Sequence, residues 1–416
     1  MSQDTATNLE FTGWKFFKSS AAITVGLAVA RLLGMAFSLV LARFLSPDIY
    51  GEVQYSISLA GICAILTQPF GQHIFAKLIG SYRSDQQAFD RYMPQAWTFL
   101  LMLFISSFLL SLPLLIGLDR LNIGVVAVFV GLTVFYTYYG IARGYIDNPR
   151  LLAAYLGSNT VQIIVTLAAY ALLRADSAMP ALVIYGTSYF LPLFLLQIFR
   201  PFPLKVQIAR PDWGTLREIA RLSAPIFVAH AGYMAYMATD LLFLERLVSG
   251  TELGVYALAR NLAAVFILVP MGVNTMILPQ IASSPKSQHR QLLRQALIWQ
   301  IGASAIILIG YAVLYNPVVA FVFGEEYVST PAIYLVYAIA MIIGQTHSII
   351  SGALVGAGKS DQNAISIVIS LIATVIAAIL LIPSQGSAGA ALAMFIGAAA
   401  ALGVYIVTDV RDFGRN

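Results

Sequence analysis

"ARFLSPDIYGEVQYS", Ala42 to Ser56, returns in the second half of the chain as "ERLVSGTELGVYALA", Glu245 to Ala259. Arg43, Ser46 and Gly51 recur as Arg246, Ser249 and Gly254 at identical spacing. Each copy closes one long apolar segment with a short polar turn and opens the next. A chain that ends and restarts such segments twice in the same way is built from two copies of one unit.

Other echoes extend the match. Pro69-x-Gly71 answers Pro270-x-Gly272, and "GIARGYIDNPRLLAA" (Gly140 to Ala154) resembles "GALVGAGKSDQNAIS" (Gly352 to Ser366), each with GxxxG at the end of a segment. The apolar segments themselves are membrane spans. Of 416 residues 59% are hydrophobic and only 10% charged, with a mean hydropathy of +0.81. A soluble domain carries about 25% charged residues. Cutting at polar, Gly/Pro and charged clusters gives twelve spans: 19–44, 53–78, 94–116, 122–146, 151–173, 179–199, 216–244, 253–280, 292–315, 330–356, 362–382 and 387–408. Each has roughly the 17–25 residues that a spanning helix needs.

The expected fold is therefore all-α and integral to a membrane. Helices one to six and seven to twelve form two six-helix lobes. Six is even, so both halves enter from the same side and their pseudo-twofold axis runs along the membrane normal. The lobes are 1–205 and 206–416, meeting in the basic connector "RPFPLKVQIARPDWGTLREIARLSAP", Arg200 to Pro225. Pro69, Pro225 and Pro270 lie inside spans and are expected to bend them.

Charge sets the orientation. With a cytoplasmic N-terminus, eighteen of the 24 Lys and Arg fall on one side, Lys77, Arg143 and Arg210 among them. Arg43, Arg120, Arg174 and Arg246 fall on the other, and Arg31 and Arg260 lie inside spans. Short loops obey the positive-inside rule, so both termini are expected in the cytoplasm of a bacterium, with the chain multi-pass in its inner membrane. The net charge of +5 then reflects topology and implies no nucleic-acid partner. Trp14, Trp97, Trp213 and Trp299 fall near cytoplasmic helix ends. Phe11, Trp14 and Phe17 share one helical face, which suits a short interfacial helix before the first span. No cleavable signal peptide is evident. The lone Cys63 excludes an intrachain disulfide.

Arg31 and Arg260 are the principal site candidates. An Arg at a helix centre costs about 2.5–3.5 kcal/mol on insertion scales, so it should face a watery cavity or a counter-charge. A cationic cavity would hold an anionic head-group such as the pyrophosphate of a lipid-linked sugar, because guanidinium donates two hydrogen bonds in a fixed fork. The structural alternative is an ion pair between lobes, Arg31 or Arg260 with Asp240. Asp240 is the single acid inside a span, hence a candidate for proton or cation coupling or else a permanent counter-ion. His73 and Lys77, one turn apart, and Arg143 are candidates for the cavity entrance. His73, His230 and His347 show no metal-type spacing, and ordinary interhelical hydrogen bonds also account for them. The aromatic run "VFYTYYGIARGY" (Val134 to Tyr145) offers stacking surface for sugars or simply helix packing.

Two classes are set aside. "GALVGAGKSD" (Gly352 to Asp361) imitates a phosphate-binding loop, but Ala353 stands at the first glycine's place and no strand precedes it. No cofactor is expected beyond a proton or sodium gradient. Enzyme chemistry lacks support: there is no nucleophile elbow, no metal-ligand cluster and no loop long enough for a catalytic domain.

"ARFLSPDIYGEVQYSISLAG", "LFLERLVSGTELGVYALARNLAAVFILVPMGVNTMILPQIA", "VFGEEYVSTPAIYLV" and "GALVGAGKSDQNAISIVISLIATVIAAILLIPSQGSAGAALA" resemble the oligosaccharide flippases of bacterial polysaccharide biosynthesis. Those belong to the multidrug/oligosaccharidyl-lipid/polysaccharide exporter superfamily, and the resemblance covers nearly the whole chain. It implies a MATE-like fold with twelve helices, two lobes, a central cavity and alternating access. It also implies a polyprenyl-pyrophosphate-linked glycan as substrate, carried to the outer leaflet for O-antigen, capsule or exopolysaccharide assembly, with membrane lipids and other polysaccharide-assembly proteins as partners. Arg31 and Arg260 match the cationic cavities of that family by helix and chemistry. Asp240 resembles in position the cation-site acid of the related lipid II flippases, with Ser366, Ser370 and Thr374 as further ligand candidates. A drug/cation antiporter of the same superfamily is the alternative, although two arginines against one acid suit cationic drugs poorly.

Overall fold

The computed structural model describes residues 13–407 apart from 173–175, 200, 202–205, 269, 272, 274–276, 278–279, 282–283 and 358–359, and it contains no strand among them. Helix α1 is Gly13–Phe44. It stops at Ser46, whose extended backbone admits Pro47 as the first residue of α2. Helix α2 runs Pro47–Cys63, bends by 68° and continues as Thr67–Tyr82. Pro69 supplies the cause. It has no N–H for the carbonyl of Ile65, four residues back, and its ring crowds that turn. The bend therefore falls one turn before the proline. A π-helical turn, Phe70–Ile74, follows it.

Helices α3 (Gln86–Gly117), α4 (Ile123–Gly144) and α5 (Asn148–Leu167, closing in a π turn to Leu172) complete most of the first half. Helix α6 consists of Ala178–Thr187 and Phe190–Phe199. The second half holds α7 (Trp213–Leu244), α8 (Gly250–Ala263, then a 3-10 turn Ala264–Ile267), α9 (Lys286–Val322) and α10 (Pro331–Gly356). The 3-10 turn contains Phe266, four residues before Pro270, so the eighth helix loosens where the second one breaks. Helices α11 and α12 are the two arms of Ser360–Val407, on either side of Gly386, whose φ of 53° turns the chain.

Eight of the described helices are long and apolar enough to cross a membrane, and the bent α2 makes a ninth. With α1, α8 and the two arms of Ser360–Val407 counted separately, the expected twelve spans are accommodated. Several helices outrun the expected boundaries. Helix α9 has 37 residues against the expected 292–315. At 1.5 Å per residue it is about 55 Å long and projects beyond a hydrocarbon core of about 30 Å. The proposed interfacial helix begins at Phe11, outside the described residues, as does the 205/206 lobe boundary.

The halves meet where the opening quotation said they were copies. A Cβ on Gly51 would stand 2.8 Å from the Gly254 nitrogen, and one on Gly254 would stand 1.9 Å from the Pro47 carbonyl oxygen. No other residue permits that approach of α2 to α8. The Thr251 hydroxyl donates to Asp48, and these two are related by the same chain offset as the two glycines. Repeat-equivalent residues thus touch one another, as residues beside a two-fold axis do. Inside the first half, Gly140 of the GxxxG motif packs α4 against the π turn of α2, its missing Cβ leaving room for the Gly71 carbonyl.

Candidate functional site: the space between the lobes

The two halves are bridged at both ends. At the end carrying Arg43 and Arg246, the Asn261 side-chain amide donates to Tyr50 at 2.7 Å and Tyr327 to the Leu45 carbonyl at 2.9 Å. Arg120, in the turn between α3 and α4, binds Glu52 at 2.7 Å and Glu245 at 3.0 Å. Burial disfavours its charge, but the two carboxylates outweigh that and push its pKa above the ordinary value.

At the other end, which carries the basic connector, His73 and His230 face each other with Nε2 and Nδ1 3.1 Å apart. Lys77 donates to the Leu222 carbonyl at 3.2 Å, beside the turn that Pro225 disturbs. Tyr92 donates to Glu218, and Arg91 to the Thr215 hydroxyl at 3.2 Å. The Gln95 amide group binds both the Arg210 carbonyl, at 2.9 Å, and the Asp212 N–H, at 3.0 Å. Asp212 caps α7, and the Thr215 hydroxyl and Gly214 N–H hold its carboxyl below the usual range.

Between these closures lie the two arginines inside spans. Helix α1 packs along α5 and reaches α8, which places Arg31 toward the second half. Arg31 is exposed, and among the described residues it forms no hydrogen bond or ion pair. Its charge acts on the hydroxyls of Tyr136 and Tyr155 in its own half and of Tyr233 on α7. Arg260 acts on Tyr233 as well, so that tyrosine, 42% exposed, feels the charge of both cations.

Arg260 itself is paired. Its Nε lies 3.4 Å from Asp240, which is 1% exposed, and it donates to the Met237 carbonyl. It also reaches Ser58 in the opposite half at 3.4 Å. Tyr256 donates to the same carboxylate oxygen at 3.0 Å, and the Leu241 N–H donates to the other at 2.8 Å. The ion pair weighed as the structural alternative is thus present, within the second half rather than between lobes. A buried carboxylate kept by a guanidinium and a phenol is satisfied without a further ligand.

The remaining candidates fall in two groups. Arg143, in the last turn of α4, acts on His73, so the three entrance candidates His73, Lys77 and Arg143 cluster at the connector end. Ser366, Ser370 and Thr374 lie elsewhere, in the packing of the second half. Ser366 bonds His347 at 2.8 Å, Ser370 the Gly397 carbonyl at 2.9 Å and Thr374 the Ser370 carbonyl at 2.8 Å. None of the three bonds to Asp240. Among the described residues no three His, Cys, Asp or Glu side chains converge as metal ligands. Sequence reasoning missed Tyr233 and the meeting of His230 with His73. Only the spacing of His230 and Tyr233, one helical turn, hinted at a shared face.

The overall fold has counterparts among solved structures. The lipid II flippase MurJ, solved in an inward closed conformation, superposes with a TM-score of 0.75 at 15% identity, covering 94% of this chain and 89% of that one. An inward-facing multidrug-resistance MATE transporter of the MOP superfamily gives 0.69 at 16% identity over 91% and 96%. A MOP-superfamily transporter from Pyrococcus furiosus, described by the reversed polarity of its binding pocket, gives 0.61 at 16% identity over 94% of both chains. In sequence, the probable low-salt glycan biosynthesis flippase Agl15 of Haloferax volcanii is 23% identical over 194 residues, 46% of this chain and 41% of the relative. These likenesses establish the MOP fold. The family model for polysaccharide biosynthesis proteins matches residues 16–267, more than half of the chain. With that match over more than half its length, this chain belongs to the polysaccharide biosynthesis protein family.

Proposed function

We propose that the protein is a flippase that moves a polyprenyl-pyrophosphate-linked oligosaccharide from the cytoplasmic to the outer leaflet, for assembly of a surface polysaccharide such as O-antigen, capsule or exopolysaccharide. The lobes 1–205 and 206–416 rock about the α2–α8 contact and expose the space between them to each side in turn. The basic end is cytoplasmic, both termini lie there, and in a bacterium the membrane is the inner one. The charge bias of the loops supports that orientation.

The observation that carries the reading is Arg31, a guanidinium at mid-helix with no protein partner among the described residues, turned toward Tyr233 and the second lobe. A cation in that setting is stable beside an anion brought by the substrate. Pyrophosphate fits because its oxygens accept the two-pronged donation of a guanidinium. Arg260, already engaged with Asp240, contributes a second positive charge at longer range. The polyprenyl tail stays in lipid, while the sugars occupy the tyrosine-lined side. A proton or sodium gradient supplies the energy, and Asp240 reads as the counter-ion of Arg260.

Binding of a polyprenyl-pyrophosphate glycan to the purified protein tests this. Arg31→Ala should weaken it by about 1.5–3 kcal/mol, roughly ten- to a hundredfold. Unchanged glycan affinity, together with tight binding of a lipophilic cation, would replace the flippase reading with that of a drug antiporter.

A further inference from the structure

The closure at the basic end contains a pair that the carriage of a glycan does not itself require. His73 stands in the π turn of α2, fixed to the first lobe by the contact of Gly71 with Gly140 on α4. His230 stands on α7, in the second lobe. Their facing nitrogens are 3.1 Å apart and their ring centres 4.7 Å, with the planes at 66°. Both rings are only partly buried, so water and protons reach them. π turns inside α-helices are frequent at functional sites.

We propose that His73 and His230 together form a proton-binding site shared between the lobes, and that its occupancy decides whether the cytoplasmic end is closed. In the neutral pair one ring donates its N–H to the bare nitrogen of the other, which ties α2 to α7. A first added proton leaves that bond in place but creates an imidazolium in a basic setting. A second makes both facing nitrogens donors and leaves no acceptor between them. Each step favours separated lobes, where water hydrates the rings.

The surroundings reinforce the effect. Arg143 on α4 acts on His73, and Lys77 follows it by one turn on α2. On α7 the next titratable group is Tyr233. Helix α11 meets α7 here through Ile367 against Gly232, and its one acid, Asp361, lies six residues earlier in the first turn of the helix. From α3, Arg91 and Tyr92 engage Glu218, about three turns from His230. Among the described residues no carboxylate pairs with either histidine. Asp240, near the far end of α7, is held by Arg260 and Tyr256 instead.

The use of such a site rests on the transporter reading. A proton arriving while the space faces outward would break the tie and let the lobes part toward the cytoplasm. It would leave there, and the rings would pair again once substrate is loaded. Proton entry would thereby drive glycan export.

The test needs no glycan. Spin labels on Ser84→Cys and Ser287→Cys, exposed in the turn before α3 and in the first turn of α9, report the width of that end in lipid nanodiscs, on a Cys63→Ala background. From pH 8 to 5.5 the longer distance should gain population, by up to about tenfold per pH unit for each proton bound. In His73→Gln/His230→Gln the distribution should no longer respond to pH. His73→Gln alone leaves one titrating ring, so its response should be shallower than the parent's, at most about tenfold per pH unit, and it serves if the double variant fails to fold. A pH-independent distance in the parent, or a response retained without the histidines, would overturn the proposal. Neither outcome bears on glycan affinity at Arg31, so the two readings fail separately.

Discussion

Alanine at Gly254 is the most direct test of the way the lobes meet. Its Cβ would stand 1.9 Å from the Pro47 carbonyl oxygen, whereas ordinary contact begins at 3.4 Å. That oxygen belongs to the backbone, so no rotamer relieves the clash and α2 and α8 must part by about 1.5 Å, the difference between those distances. Overpacking of this kind costs about 1–3 kcal/mol. The separation also strains the Thr251–Asp48 and Asn261–Tyr50 hydrogen bonds, each contributing about 0.5–1.5 kcal/mol. Even about 2 kcal/mol multiplies the ratio of open to closed forms about thirtyfold. Spin labels on Ser177→Cys and Thr330→Cys, both exposed toward the end that carries Arg43 and Arg246, should therefore record a longer distance in Gly254→Ala. Gly310→Ala is the control, since nothing lies within 4 Å of its added carbon, and its distance should match the parent. A parental distance in Gly254→Ala would refute the claim that this contact holds the two halves together at that end.

Two further outcomes are expected. Arg260→Ala leaves the Asp240 carboxylate buried with no counter-charge, held by Tyr256 and the Leu241 N–H alone, and should destabilise the purified protein by about 3–5 kcal/mol. Asp240→Leu/Arg260→Met should recover much of that in thermal unfolding, and equal losses in the two variants would show that the pair is not coupled. At the start of α7, the Asp212 pKa is lowered in the folded state, so its contribution is complete above the ordinary carboxylate range and is lost as pH falls through the lowered value. Asp212→Ala should speed amide exchange over the first turn of α7 at pH 7, with the difference from the parent closing toward pH 3.

The spans and their pairing into two halves were legible because hydrophobic length and a copied turn are local features. Pro69 announced the bend in α2, although the bend itself appears one turn earlier, where the missing donor is felt. Arg31 and Arg260 were conspicuous for the same reason, as charges inside apolar runs. What the residues could not reveal was which of them has a partner. Asp240 and Arg260 sit on different helices, and their pairing follows from how α7 and α8 cross. The histidine pair joins residues 157 apart in the chain, with no repeat relation and no fixed spacing to betray it. The boundaries of α3, α7 and α9 were drawn too short because their ends carry polar residues outside the hydrocarbon region, where helical hydrogen bonding continues without apolar content.

The Asp48–Thr251 contact has a consequence for how such a chain diverges. In an assembly of two identical subunits, a residue beside the symmetry axis meets its own image, so an aspartate there would oppose an aspartate and repel it. Once both copies lie in one polypeptide, the two positions mutate independently. One can keep the acceptor while the other becomes a hydroxyl donor, and the former self-repulsion becomes a hydrogen bond. The glycines beside it have had no such freedom, because a side chain on either one meets backbone across the axis. Fusion thus lets chemistry at the seam become lopsided while leaving its closest point of approach symmetric.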